Sequence, residues 1–172
     1  MLNNIPKYIG QFILLILIQI IILDNVAFNG YINPYLYILF IITLPFETNK
    51  LLVLSLAIVQ GLIIDVFTHT IGMHLSACIF LAYTRPLILR FVSPREGYDF
   101  GLTPSIKDMG IIWFLAYSSI LIFLHHAFLF FVEAFRFSEF FSTLLRIILS
   151  TIFTLILVVI SQYLTYSKKV KR

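Results

Sequence analysis

Charge is scarce in this chain, and sulfur is scarcer. Only 12% of the residues are charged, against about 25% in an ordinary soluble domain, which excludes a water-surrounded fold with a polar shell. The single cysteine, Cys78, excludes an intramolecular disulfide and any cysteine-based metal cluster. It stands in an apolar run and reads as a packing residue. Enzymatic constellations are also missing. There is no G-x-S-x-G elbow, no P-loop, no H-E-x-x-H zinc motif, no paired carboxylates in one segment and no Cys/His nucleophile arrangement. The residues therefore point away from an enzyme, and they imply no metal and no cofactor.

What is present is apolar. Sixty per cent of the chain is hydrophobic, and these residues fall in successive runs long enough to cross a hydrocarbon layer of roughly 30 Å. Lipid is the implied solvent. A backbone in lipid must satisfy its own hydrogen bonds as helix, so the expectation is an all-α, polytopic membrane helix bundle of about six transmembrane helices. The expected spans are residues 8–23, 35–46, 51–67, 71–92, 109–132 and 140–166. The first resembles a secretory signal, but Asp24, Asn25 and Val26 follow it where a small-x-small cleavage site would stand, so it reads as a retained helix. The second lies between Pro34 and Pro45 and is short. Twelve residues rise only about 18 Å, so it needs help from the residues before it or must be re-entrant. Arg85 and Pro86 interrupt the end of the fourth.

Lys and Arg set the orientation, because positively charged loops stay cytoplasmic. Six spans place Lys7, Lys50, Arg85, Arg90, Arg95, Lys107, Lys168, Lys169, Lys171 and Arg172 on one side, with Arg136 and Arg146 opposite. Both termini are then cytoplasmic. The whole chain, 1–172, reads as a single integral membrane domain with a cytoplasmic loop at 93–108 and a basic cytoplasmic tail at 167–172. The net charge is +4, yet Lys168, Lys169, Lys171 and Arg172 crowd one end beside an apolar helix. Anionic headgroups of the lipid bilayer are their natural partner, and nucleic acid is not.

The most informative stretch is 61–74, GLIIDVFTHTIGMH, because it sets an ionisable residue in an apolar helix. A carboxylate at membrane depth is costly and tends to face other helices or a wet cavity. Gly61, Asp65 and His69 recur at spacing four, on one helical face. Gly61 lets another helix approach closely, which makes its face, with Ser55, a candidate partner surface. Thr68 to Gly72 make the turn. Asp65 should accept hydrogen bonds from backbone N–H groups near Gly72, where the next helix begins. Arg85 reads as an anchor that snorkels toward headgroups, ahead of a proline kink. His125 and His126 diverge by about 100° on a helix and read as an interfacial pair. The spans otherwise show no convergent polar groups, which favours recognition through helix surfaces over a preformed pocket.

From Gly61 to Arg90 the chain reads GLIIDVFTHTIGMHLSACIFLAYTRPLILR, and this resembles the bacterial rod shape-determining protein MreD family. Gly61, Asp65, Gly72, Ala82, Tyr83 and Arg85 match that family's pattern in order. The length, Pro34 and the basic tail are also similar. The resemblance implies a non-enzymatic scaffold of the cell-elongation machinery in the bacterial inner membrane. Its expected partner is an MreC-like bitopic membrane protein, and the scaffold would help link cytoskeletal MreB filaments to peptidoglycan synthases. The family is also similar to the substrate-binding subunits of energy-coupling-factor vitamin transporters, so a small-molecule transporter subunit is the alternative reading.

Overall fold

The computed structural model describes residues 5–25, 32–135 and 140–167. All regular structure among them is helical. Helix α1 (Ile5–Ile18) runs into a π-helical turn (Gln19–Leu23). A short 3-10 turn (Leu36–Ile38) leads into α2 (Leu39–Thr43). Then come α3 (Lys50–Thr68), α4 (Met73–Phe91), the single turn α5 (Ile106–Met109), α6 (Ile111–Ala134) and α7 (Phe140–Ser167). Four helices are long and apolar enough to cross a membrane: residues Ile5–Leu23, Lys50–Thr68, Ile111–Ala134 and Phe140–Thr165. The protein is thus a multi-pass, membrane-embedded helical bundle. α4 matches α3 in length at 19 residues but is the less apolar of the two.

The helix ends follow from local chemistry. Asn49 caps α3, accepting from the Leu51 N–H at 2.8 Å, and Ser105 caps α5. α3 stops where His69 adopts the left-handed conformation, and Gly72 does the same at the entry to α4. Two left-handed residues three apart reverse the chain. α4 runs unbroken through Pro86 to Phe91, where an interruption was expected.

The segment expected to be a second span forms only eight helical residues, and every one of Leu36 to Leu44 is buried. It lies inside the bundle. Side chains from the surrounding helices trace its direction. Gln11 of α1 donates to Thr43 and Gln19 donates to the Pro34 carbonyl, so the segment runs antiparallel to α1. Tyr117 of α6 donates to the Ile42 carbonyl, while Tyr37 meets His125 further along that helix. Asn33 and Tyr35 donate from their N–H groups to Ser150 and Thr154 of α7. Successive elements therefore alternate in direction, which leaves the Ile5 end of α1 and the Ser167 end of α7 at the same end of the bundle. At that end Tyr98 stacks on Phe46 at 4.0 Å between centroids, and both meet Trp113 edge-on. Tyr98 and Trp113 donate to the Leu89 and Val92 carbonyls, so the 93–108 loop and the first turn of α6 together close off the last turn of α4. Lys168, Lys169, Lys171 and Arg172 lie outside the described residues.

Candidate functional site

Two buried polar groupings stand out, and they share one residue, His74. The first is the α3–α4 hairpin. Asp65 is 6% exposed, and each carboxylate oxygen is engaged. Oδ1 accepts from the Thr70 hydroxyl at 2.6 Å and the His74 N–H at 3.0 Å, and Oδ2 accepts from the Leu75 N–H at 2.9 Å. These amides belong to the first turn of α4, which has no partners for them within its own helix. The negative charge also faces the positive end of the helix dipole. The donors are the second and third residues past Gly72, inside the first turn of the helix that was expected to supply them. Gly72 itself supplies a backbone with φ of 75°, which a residue with a Cβ rarely adopts.

Gly61 lets this happen. A Cβ built on it would lie 2.4 Å from the Leu75 Cα and 3.0 Å from the His74 carbonyl oxygen. The helix that approaches Gly61 is therefore α4 of the same chain, and this corrects the reading of Gly61 as part of a partner surface. Ser55 remains exposed, its hydroxyl bonded back to the Leu51 carbonyl. His69 departs from the face of Gly61 and Asp65, because the left-handed turn carries it out to an exposed position.

The second grouping is the set of side chains around the buried segment. The Tyr37 hydroxyl lies 2.9 Å from His74 Nδ1 and 3.1 Å from His125 Nε2. It carries one proton, so it donates to one ring and accepts from the other. His125 Nδ1 is buried without a partner among the described residues, and an orphaned N–H there is the costlier alternative. His125 Nε2–H therefore donates to Tyr37, and Tyr37 donates to His74 Nδ1. His126 Nδ1 meets the Ile122 carbonyl at 2.8 Å, and Nε2 meets the Thr154 hydroxyl at 3.1 Å. A carbonyl can only accept, so Nδ1 carries the proton and Thr154 donates to Nε2. Thr154 in turn accepts the Tyr35 N–H. Gln60 donates to the Tyr37 carbonyl at 2.6 Å, and Gln19 Oε1 accepts the Leu36 N–H at 2.8 Å. Backbone that leaves the helical pattern at membrane depth is tolerated when it is buried in protein that supplies its partners, and here the turn after α1 and helices α3, α4, α6 and α7 do so.

Three sequence readings change on this geometry. His125 and His126 are fully buried and are not interfacial, because their rings converge on Tyr35 and Tyr37. Convergent polar groups do exist in the bundle, contributed by residues far apart in the chain. Arg85 is 3% exposed and turns inward. Its Nη2 donates to the Leu44 and Pro45 carbonyls at the end of α2, because those carbonyls have no helical partner of their own. A snorkelling guanidinium would face the headgroups. Of the remaining expected residues, Tyr83 is 71% exposed on the outer face of α4, apart from the hairpin cluster.

Tyr37, Gln60 and Gln19 were not singled out from the sequence, and His74 was considered only beside Asp65 and His69. The available signal was the presence of amide and imidazole side chains inside otherwise apolar runs, which in membrane proteins marks an inward face. No group of three or more His, Cys, Asp or Glu among the described residues is placed to hold a metal ion. The chain matches no family model, no curated protein and no solved structure, so its functional reading rests on these residues.

Proposed function

We propose that this protein is a non-enzymatic membrane scaffold subunit of the bacterial cell-elongation machinery, binding an MreC-like bitopic protein and helping couple MreB filaments to peptidoglycan synthases. The observation that carries the reading is the hairpin. Gly61, Asp65 and Gly72, the residues that carry the MreD resemblance, all serve one piece of architecture: a close helix contact, a carboxylate latch and a left-handed turn. A motif spent on holding two helices together supports a role in presenting a fixed surface. In this reading both termini are cytoplasmic, the chain crosses the inner membrane six times with residues 32–46 as one crossing, and the basic tail attracts anionic headgroups.

The test is partner recovery from native membranes together with restoration of rod shape. Asp65→Leu removes the latch and is expected to lose both. Asp65→Asn keeps an acceptor oxygen and is expected to retain part of each. Wild-type behaviour of Asp65→Leu in both assays at matched abundance would sink the reading.

A second reading, the substrate-binding subunit of a vitamin-like transporter, draws on the convergence of Tyr37, Gln60, His74 and His125 around a broken helix, a pattern that lines binding sites in transporters. In this chain most of those groups bond to each other. Saturable binding of a vitamin by the purified protein would favour this reading over the scaffold.

A further inference from the structure

One cavity lies away from both buried groupings, at the end of the bundle where α4 finishes. It measures about 390 Å³ and is lined by Phe46, Pro86, Leu89, Arg90, Ser93 and Tyr98. Cavities of roughly 300–1,000 Å³ accommodate small ligands, and this lining states what kind. It offers apolar and aromatic walls, the hydroxyls of Ser93 and Tyr98, one cation and no carboxylate. The Arg90 side chain has no hydrogen-bond or ion-pair partner among the described residues, whereas Arg85, one and a half turns earlier, is fully turned inward.

The surface beside the cavity is equally specific. Tyr83, Leu87 and Phe91 are 71%, 54% and 79% exposed. At spacing four they form one stripe along α4, and Arg90 stands at its end, seven residues from Tyr83 and nearly in line with it. An apolar stripe leading to a lone cation suits an acyl chain leading to an anionic head. The level also fits. Arg90 is in the last turn of α4 and shares the cavity wall with Tyr98, whose ring meets Trp113, and such aromatic side chains sit at the membrane–water interface.

We propose that this groove is a binding site for an anionic phospholipid, with the phosphate on Arg90, the glycerol region against Ser93 and Tyr98, and an acyl chain along Tyr83 and Leu87. Basic pockets between helices at this level hold anionic headgroups in other membrane proteins. Tyr83 thereby gains a role that the hairpin does not give it.

The test is native mass spectrometry of the full chain in neutral detergent with phosphatidylglycerol, phosphatidylcholine or inorganic phosphate added. Phosphatidylglycerol should be retained about fivefold over phosphatidylcholine, the ratio that ~1 kcal/mol from one cation near an anionic head produces. Arg90→Gln should remove that preference, and Arg95→Gln, an exposed cation in the following loop, should preserve it. Equal retention of the two lipids would overturn the site. So would an unchanged preference in Arg90→Gln. Displacement of the lipid by millimolar inorganic phosphate would assign the cation to a soluble anion and overturn the lipid reading.

Discussion

At the scale of single residues, the α3–α4 hairpin separates two effects that usually travel together. Replacing a helical glycine by alanine normally stabilises a helix by about 1 kcal/mol. Gly10, in α1, has open space around it, so Gly10→Ala is expected to leave thermal stability unchanged or raise it. Gly61→Ala puts a methyl against the backbone of Leu75, and a backbone cannot yield as a flexible side chain does. The expected loss is about 1–3 kcal/mol, read as a lower melting temperature in detergent. A Gly61→Ala protein as stable as wild type would show that the helices are further apart. Asp65 makes a graded comparison. Asparagine can keep the bonds to Thr70 and His74, but its amide then opposes the Leu75 N–H, a loss of about 1–2 kcal/mol. Leucine leaves the His74 and Leu75 N–H groups unpaired together, at roughly 1–3 kcal/mol each. The order wild type, Asn, Leu is the expected order of melting temperature, and Asn at or below Leu would contradict the latch.

At the scale of elements, the question is what keeps a five-residue helix in place inside a bundle. α2 is too short to stand alone, since isolated helices below about 12–15 residues are marginal even in water. Its ends are held by other elements. Gln19 and Thr154 take the donors at its entry, while Tyr117 and Arg85 cover the carbonyls at its exit. Arg85 distinguishes two roles. An anchor that snorkels needs only a long cation, so lysine would serve. Turned inward, Nη2 alone donates to two adjacent carbonyls, and a lysine ammonium, which is more strongly hydrated than a guanidinium, costs more to bury there. Arg85→Lys is therefore expected to lower the stability of the bundle by about 1–3 kcal/mol without changing its orientation in the membrane. Unaltered melting of Arg85→Lys would restore the anchor reading.

At the scale of the whole molecule, the alternating direction of the elements makes a statement about sides. Ile5 and Lys107 belong to one end of the bundle, and Ile71, which is 96% exposed in the α3–α4 turn, to the other. The one native thiol, Cys78, is buried and should be silent to aqueous reagents. If the basic end is cytoplasmic, as proposed, an impermeant maleimide should label Ile71→Cys in intact cells. It should reach Ile5→Cys and Lys107→Cys only after the membrane is opened. Labelling of Ile5→Cys in intact cells would break the alternation at residues 32–46, leaving five crossings.

Composition and apolar run length were enough to establish lipid as the solvent and helix as the secondary structure, because an unpaired backbone group in hydrocarbon is too costly for any other open form. The hairpin latch was legible for a related reason. Asp65 bonds to residues only nine and ten positions away, so its partners sit within one turn-bounded motif. The inward direction of His125, His126 and Arg85 was not legible. In water the buried face of a helix is its apolar face, and periodicity reveals it. In lipid both faces are apolar and association relies on packing and polar contacts, so the pattern along α6 carries no such mark. Tyr37 meets His125 across 88 positions, and Tyr35 meets Thr154 across 119. Only the packing of α1, α3, α4, α6 and α7 around one broken segment decides those partnerships, because no local signal pairs residues so far apart.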